Sequence, residues 1–80
     1  MERQEVLKTL NGIFVKVLKK PNLCLTENMS TDDIDEWDSL NNMIIIAEIE
    51  KQFHFHLKMR DIIRIKTVGD MCDVILKRTK

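Results

Sequence analysis

The tract whose residue types and order offer chemistry is Glu36-Trp37-Asp38-Ser39-Leu40, where an acidic, irregular segment meets the most apolar stretch of the chain. A serine opening a helix holds its hydroxyl beside unpaired backbone N–H groups and the positive end of the helix dipole. That setting favours an attached or bound anion such as a phosphate diester. The same residues also read as a helix cap, because Asp and Ser are preferred there. A third reading is a regulatory phosphoserine, since a helix N-terminus tolerates phosphate.

The other reactive side chains offer less. His54 and His56 stand two apart with no third ligand nearby, which fits a solvated connector better than a metal site. Cys24 and Cys72 lack metal-type spacing, and each reads as a small buried apolar residue in a reducing compartment. No glycine-rich phosphate loop appears, nor a nucleophile with its base and orienting group. The helix predicted to follow Ser39 places the histidines roughly 20 Å from it, so they cannot activate its hydroxyl. The chain is therefore expected not to be an enzyme, and a functional Ser39 needs activation by another protein.

Eighty residues make a single domain over 1–80, small enough that only about 60–65% of its unfolded surface is buried. With 44% hydrophobic and 32% charged residues, the composition is that of a folded globular chain rather than a disordered one. No apolar run reaches the roughly 18 residues of a membrane span, and the charged start Met1-Glu2-Arg3-Gln4-Glu5 is unlike a secretory signal, so a cytoplasmic monomer is expected. Formal charge is zero but unevenly placed: Pro21 to Glu50 holds eight acids and no Lys or Arg, whereas the rest holds 13 bases and five acids. Such an acidic field steers basic partners and repels nucleic acid. Solvated loop and helix-terminus acids account for part of it without any partner.

Four elements have to position Ser39. Val6, Leu7, Leu10, Ile13, Phe14, Val17 and Leu18 recur at helical steps over about Glu2 to Lys19, with Pro21 closing the helix and Gly12 permitting a close contact. A long ordered loop, Asn22 to Asp38, is anchored by Leu23, Leu25, Met29, Ile34 and Trp37, and loops of this length are often functional. The second helix, Ser39 to Phe53, is apolar on more than one face. Leu40, Met43, Ile46, Ala47, Ile49 and Phe53 are expected inward, with Ile44 left as an exposed contact. Phe53-His54-Phe55-His56-Leu57 predicts an extended connector with Phe55 and Leu57 inward. A short helix near Lys58 to Ile65 and a final one opened by Thr67 and Asp70, with Val68, Met71, Cys72, Ile75 and Leu76 on its stripe, complete an all-α four-helix bundle.

In this order of elements, with Asp38-Ser39-Leu40 opening the second helix, Met43 to Ile49 and Phe53 completing it, and Ile65-Lys66-Thr67-Val68 opening the fourth, the chain resembles the acyl carrier proteins over nearly its whole length. The resemblance implies that Ser39 carries 4′-phosphopantetheine, transferred from coenzyme A by a phosphopantetheinyl transferase. Asp38 would present the serine to the transferase and its metal, and Leu40 would add an apolar contact beside it. Acyl-loading and acyl-transfer enzymes are the implied partners, meeting Met43, Ile44, Glu48 and Glu50. The cargo would be a thioester in a fatty-acid, polyketide or specialised lipid or aminoacyl pathway. The chain departs from the family pattern in its neutral charge, in Asn41, Asn42, Ile44 and Lys51 where acids are frequent, and in Trp37 before Asp38. These departures point to a dedicated carrier rather than the general fatty-acid one. The competing reading is an unmodified helical interaction domain in which Ser39 only caps its helix.

Overall fold

The computed structural model describes residues 2–79 and holds four helices: α1 (Arg3–Leu18), α2 (Ser39–Phe53), α3 (Met59–Arg64) and α4 (Val68–Arg78). Among the described residues there is no strand, only an isolated bridge between Ser30 and Thr67. The all-α, four-helix architecture and the long first connection are those expected from the periodicity.

Helix α1 is central and packs against both α2 and α4. Its stripe Val6, Leu10, Ile13, Phe14 and Leu18 is buried against Ile45, Ile46 and Ile49 of α2 and Val68, Met71, Cys72 and Ile75 of α4. Each such side chain stabilises the fold by about 1.5–3 kcal/mol relative to exposure. No heavy atom lies within 4 Å of where a Cβ on Gly12 would sit, so that glycine makes no close helix contact. The close approach belongs instead to Gly69, where a Cβ would come 3.1 Å from the carbonyl oxygen of Glu27. There the Gly69 N–H donates to that same carbonyl at 2.8 Å, and the Val68 N–H donates to Met29 at 2.9 Å, pinning the loop to the start of α4.

Loop order follows from such ties. Leu25, Ile34 and Trp37 are buried, and Leu23 and Met29 pack against the core. The Asn11 carboxamide accepts from the Leu25 N–H at 2.7 Å and donates to the Leu23 carbonyl at 3.3 Å. Arg3 pairs with Glu27 and Asp73, joining α1, the loop and α4.

Two burial expectations are corrected. Leu40, Met43 and Ala47 do not face the core; they are exposed, and Ile45 is buried in their stead. With about 100° per residue, Leu40, Met43, Ile44 and Ala47 fall on one side of α2 and Ile45, Ile46 and Ile49 on the other. A helix apolar on both sides gives no periodic signal for which one turns inward. Cys24 is exposed, lying in the loop rather than on a helical stripe, whereas Cys72 is buried as expected. On α3, Ile62 packs against the core but Met59 and Ile63 project outward. The connector behaves as its alternation predicts: Phe55 and Leu57 pack inward, while His54 and His56 are exposed.

Candidate functional site

The site begins with the way α2 starts. Asp38 is in extended conformation, and its carboxylate accepts from the Asn41 N–H at 2.8 Å while its carbonyl accepts from the Asn42 N–H at 2.8 Å. Asp38 is therefore the cap and Ser39 the first helical residue. The backbone N–H groups of Ser39 and Leu40 find no acceptor among the described residues, and no side-chain hydrogen bond there uses the Ser39 hydroxyl. An exposed hydroxyl thus stands beside two open donors at the positive end of a 15-residue helix. A phosphate ester on Ser39 fits this environment: charge, donors and free space are all present.

The preceding loop holds that geometry. Trp37 is 2% exposed, meets Phe14 edge-on with ring centroids 5.0 Å apart, and donates its indole N–H to Asn42 at 2.9 Å. The Asn41 carboxamide donates to the Glu36 carbonyl at 2.8 Å. Lys20, just beyond α1, pairs with Glu36 at 3.1 Å and holds its carboxyl below the usual glutamate range. Thr31, Trp37, Asp38, Ser39 and Asn42 line an open depression of about 300 Å³ beside the hydroxyl.

Leu40, 73% exposed, begins the outward apolar face that continues through Met43, Ile44 and Ala47. Glu48 and Glu50 flank this face about 80° to either side of its centre. Both are half-buried and engaged within the chain: Glu48 lies 3.6 Å from Lys16, and Glu50 accepts from the Leu57 N–H at 2.8 Å and approaches His56 at 3.6 Å. Of the eight acids between Pro21 and Glu50, six thus hold an internal partner, counting Glu27, Asp33 in its turn with Ser30, and the Asp38 cap. The acidic field is built largely from structural contacts. Sequence reasoning did not find Asn42 or Gly69; their only signals were a polar residue in the first turn of an apolar helix and a glycine just inside a capping box.

His54 lies at the far end of α2 from Ser39, so the structure brings no histidine to the hydroxyl. Among the described residues, no group of three or more His, Cys, Asp and Glu is placed to hold a metal, and no helix is long and apolar enough to cross a membrane.

Residues 8–75 match the family of the phosphopantetheine attachment site. The fold is similar to that of a holo acyl carrier protein from Geobacter metallireducens, with a TM-score of 0.84 and 33% identity over 90% of this chain and 83% of that one. It is also similar to a Mycobacterium tuberculosis chain described as an acyl carrier protein, with a TM-score of 0.82 and 27% identity over 91% of this chain and 97% of that one. Comparison with curated protein sequences found no significant match. Matched over most of its length in sequence and in backbone, the chain belongs to the acyl carrier protein family, whose covalently attached cofactor is phosphopantetheine.

Proposed function

We propose that this carrier is loaded at Ser39 and shuttles acyl intermediates between enzymes of a dedicated fatty-acid, polyketide or specialised lipid or aminoacyl pathway, without catalysing a step itself. The observation that carries the reading is the division of labour at the helix start: Asp38 caps, and the Ser39 hydroxyl is left exposed and uncommitted. A serine needed as a cap would have its oxygen engaged with the first turn.

In loading, the Ser39 Oγ forms a bond to the phosphorus of coenzyme A's pantetheine phosphate as the pyrophosphate bond breaks and adenosine 3′,5′-bisphosphate departs. The hydroxyl proton goes to a base supplied by the transferase, since no imidazole of the chain lies near. The open N–H groups of Ser39 and Leu40 would hold the phosphodiester, and the Asp38 oxygen that does not cap the helix would be left for the transferase's metal. Once attached, the arm supplies a terminal thiol for thioester linkage of the cargo. Leu40, Met43 and Ile44 form the apolar contact for loading and transfer enzymes, with Glu48 and Glu50 at its margins.

Intact mass after incubation with coenzyme A and a broad-specificity transferase tests the assignment. A phosphopantetheine adduct on the natural chain and none on Ser39→Ala is expected. No adduct where a control carrier is modified defeats the reading in favour of an unmodified interaction domain. A simple phosphate increment after kinase treatment alone would instead support a phosphoserine switch.

A further inference from the structure

Asn42 carries two hydrogen-bonding groups, and Trp37 uses only one of them. An indole N–H can only donate, so the Asn42 carboxamide must turn its oxygen to Trp37, where it accepts at 2.9 Å. Its NH2 group is left over and finds no acceptor among the described residues. Asn42 is half-buried in the wall of the open depression of about 300 Å³ that Ser39 also lines. Thr31 lines it from the loop, exposed, with a hydroxyl that has no hydrogen-bond partner among the described residues. A tight turn sets its place: the Asp33 N–H donates to the Ser30 carbonyl at 3.0 Å, the Asp33 carboxylate accepts from the Ser30 N–H at 2.9 Å, and Ser30 is bridged to Thr67 at the start of α4. Asp38, with one carboxylate oxygen not used in capping, completes the polar wall beside the Trp37 ring.

We propose that, once Ser39 is loaded, the pantoyl segment of the arm, the branched hydroxy-amide directly after the phosphodiester, folds back into this depression with Asn42 and Thr31 as its hydrogen-bonding partners. The proposal rests on Ser39 being the attachment point. Tethering selects the occupant: a segment fixed to one lining residue meets the others at an effective concentration of about millimolar order. The wall offers a free donor, a hydroxyl and a carboxylate oxygen, which suits a hydroxyl and an amide. The Asp38 carboxylate repels a second anion, so the phosphodiester stays with the open N–H groups at the helix start and the uncharged segment turns inward. The volume lies at the small end of ligand pockets and takes a compact segment rather than the whole arm, which leaves the terminal thiol outside. Thr31 and Asn42 then fix the direction in which the arm leaves the protein.

Isotope-filtered NMR of the labelled chain, loaded from unlabelled coenzyme A by a broad-specificity transferase, tests the proposal, and intact mass reports the loading separately. Expected are NOEs from the pantoyl methyl groups to the Trp37 ring, and shifts of the Asn42 side-chain NH2 and Thr31 amide signals between apo and holo chains. Asn42→Asp keeps the oxygen that Trp37 uses and removes the NH2; Thr31→Val removes the hydroxyl without a change of charge. Each variant, once fully loaded and shown by thermal melts to be folded, should lose most of the NOE intensity to Trp37. A loaded chain whose shifts stop at residues 38–40, with no NOE to Trp37, overturns the seat and leaves the carrier assignment standing. NOEs undiminished in both variants overturn it as well, and the absence of any adduct on Ser39 overturns both readings.

Discussion

The indole N–H of Trp37 donates to the carboxamide oxygen of Asn42 at 2.9 Å, so the last buried anchor of the loop is bonded across Ser39 to the first turn of α2. The bond fixes the angle at which the chain enters the helix. Asn42→Leu leaves a buried N–H without an acceptor and should cost about 1–3 kcal/mol, whereas Asn42→Asp keeps an acceptor and should cost less. Trp37 is the sole tryptophan, so its fluorescence in denaturant titrations reads both variants. If the bond positions Ser39, loading by the transferase slows in Asn42→Leu under conditions where the variant is fully folded, and Asn42→Asp restores it. Equal loading rates in the folded variants would show the bond to be structural only.

Capping and the proposed attachment separate by mutation, because Asp38 is the cap and Ser39 the proposed site. Asp38→Ala removes the oxygen that accepts from the Asn41 N–H and should cost on the order of 1 kcal/mol. Ser39→Ala removes an exposed hydroxyl from the first helical position and should stay within about 0.5 kcal/mol of the natural chain. Equilibrium unfolding of the two variants checks the order. A larger loss for Ser39→Ala would return the serine to a capping role.

The two faces of α2 should respond oppositely to substitution. Ile44→Glu lies on the exposed side and should leave stability within about 0.5 kcal/mol while lowering transfer to cognate enzymes. Ile45→Ala, fully buried, should cost about 2–5 kcal/mol. Unfolding curves and acyl-transfer rates for both variants check this. Transfer unaffected by Ile44→Glu with every cognate enzyme would remove the apolar face from the docking surface.

Helix order and the position of Ser39 were legible because they rest on one-dimensional signals: the stripe of α1, the loop polarity, and the Thr67–Asp70 capping box, which the structure forms in both directions. What was illegible depends on the third dimension. Four consecutive apolar residues, Met43 to Ile46, contain no statement of which face meets α1. Cys24 resembles Cys72 in type, yet only Cys72 sits on a helical stripe. The internal partners of Glu27, Glu36 and Glu48 are bases 16 to 32 positions away in sequence, which no local pattern reveals. The same long-range pairing turned an apparent acidic display into a set of structural ties.

Those ties set the acid limb of stability. Hydrogen bonds from Arg78, Arg3 and Lys20 hold the carboxyls of Asp61, Glu27 and Glu36 below their ordinary ranges. In the unfolded chain the same groups titrate near about 4, so at acid pH the unfolded state binds more protons and stability rises with pH. Their contribution is complete above the unfolded values and disappears as pH falls through the lower folded ones. Denaturant unfolding between neutral and strongly acid pH should show this decline, with a shallower limb in Asp61→Asn. An unchanged limb in that variant would mean that Asp61 is not held ionised by Arg78.

The two cysteines should differ sharply in reactivity. Cys24 is exposed in the loop between depressions of about 410 and 270 Å³, whereas Cys72 is fully buried and burial pushes its thiol up, disfavouring the reactive thiolate. Brief alkylation of the folded apo chain should therefore add one label, at Cys24, and denaturation should add a second. The holo chain, with the arm's terminal thiol, should take two labels while folded. Cys24→Ser should leave a folded apo chain that takes none, so any label it acquires measures opening of the α1–α4 contact around Cys72. Rapid labelling of Cys72 in that variant would contradict the packing of α4 against α1, because the thiol is reachable only when those helices separate.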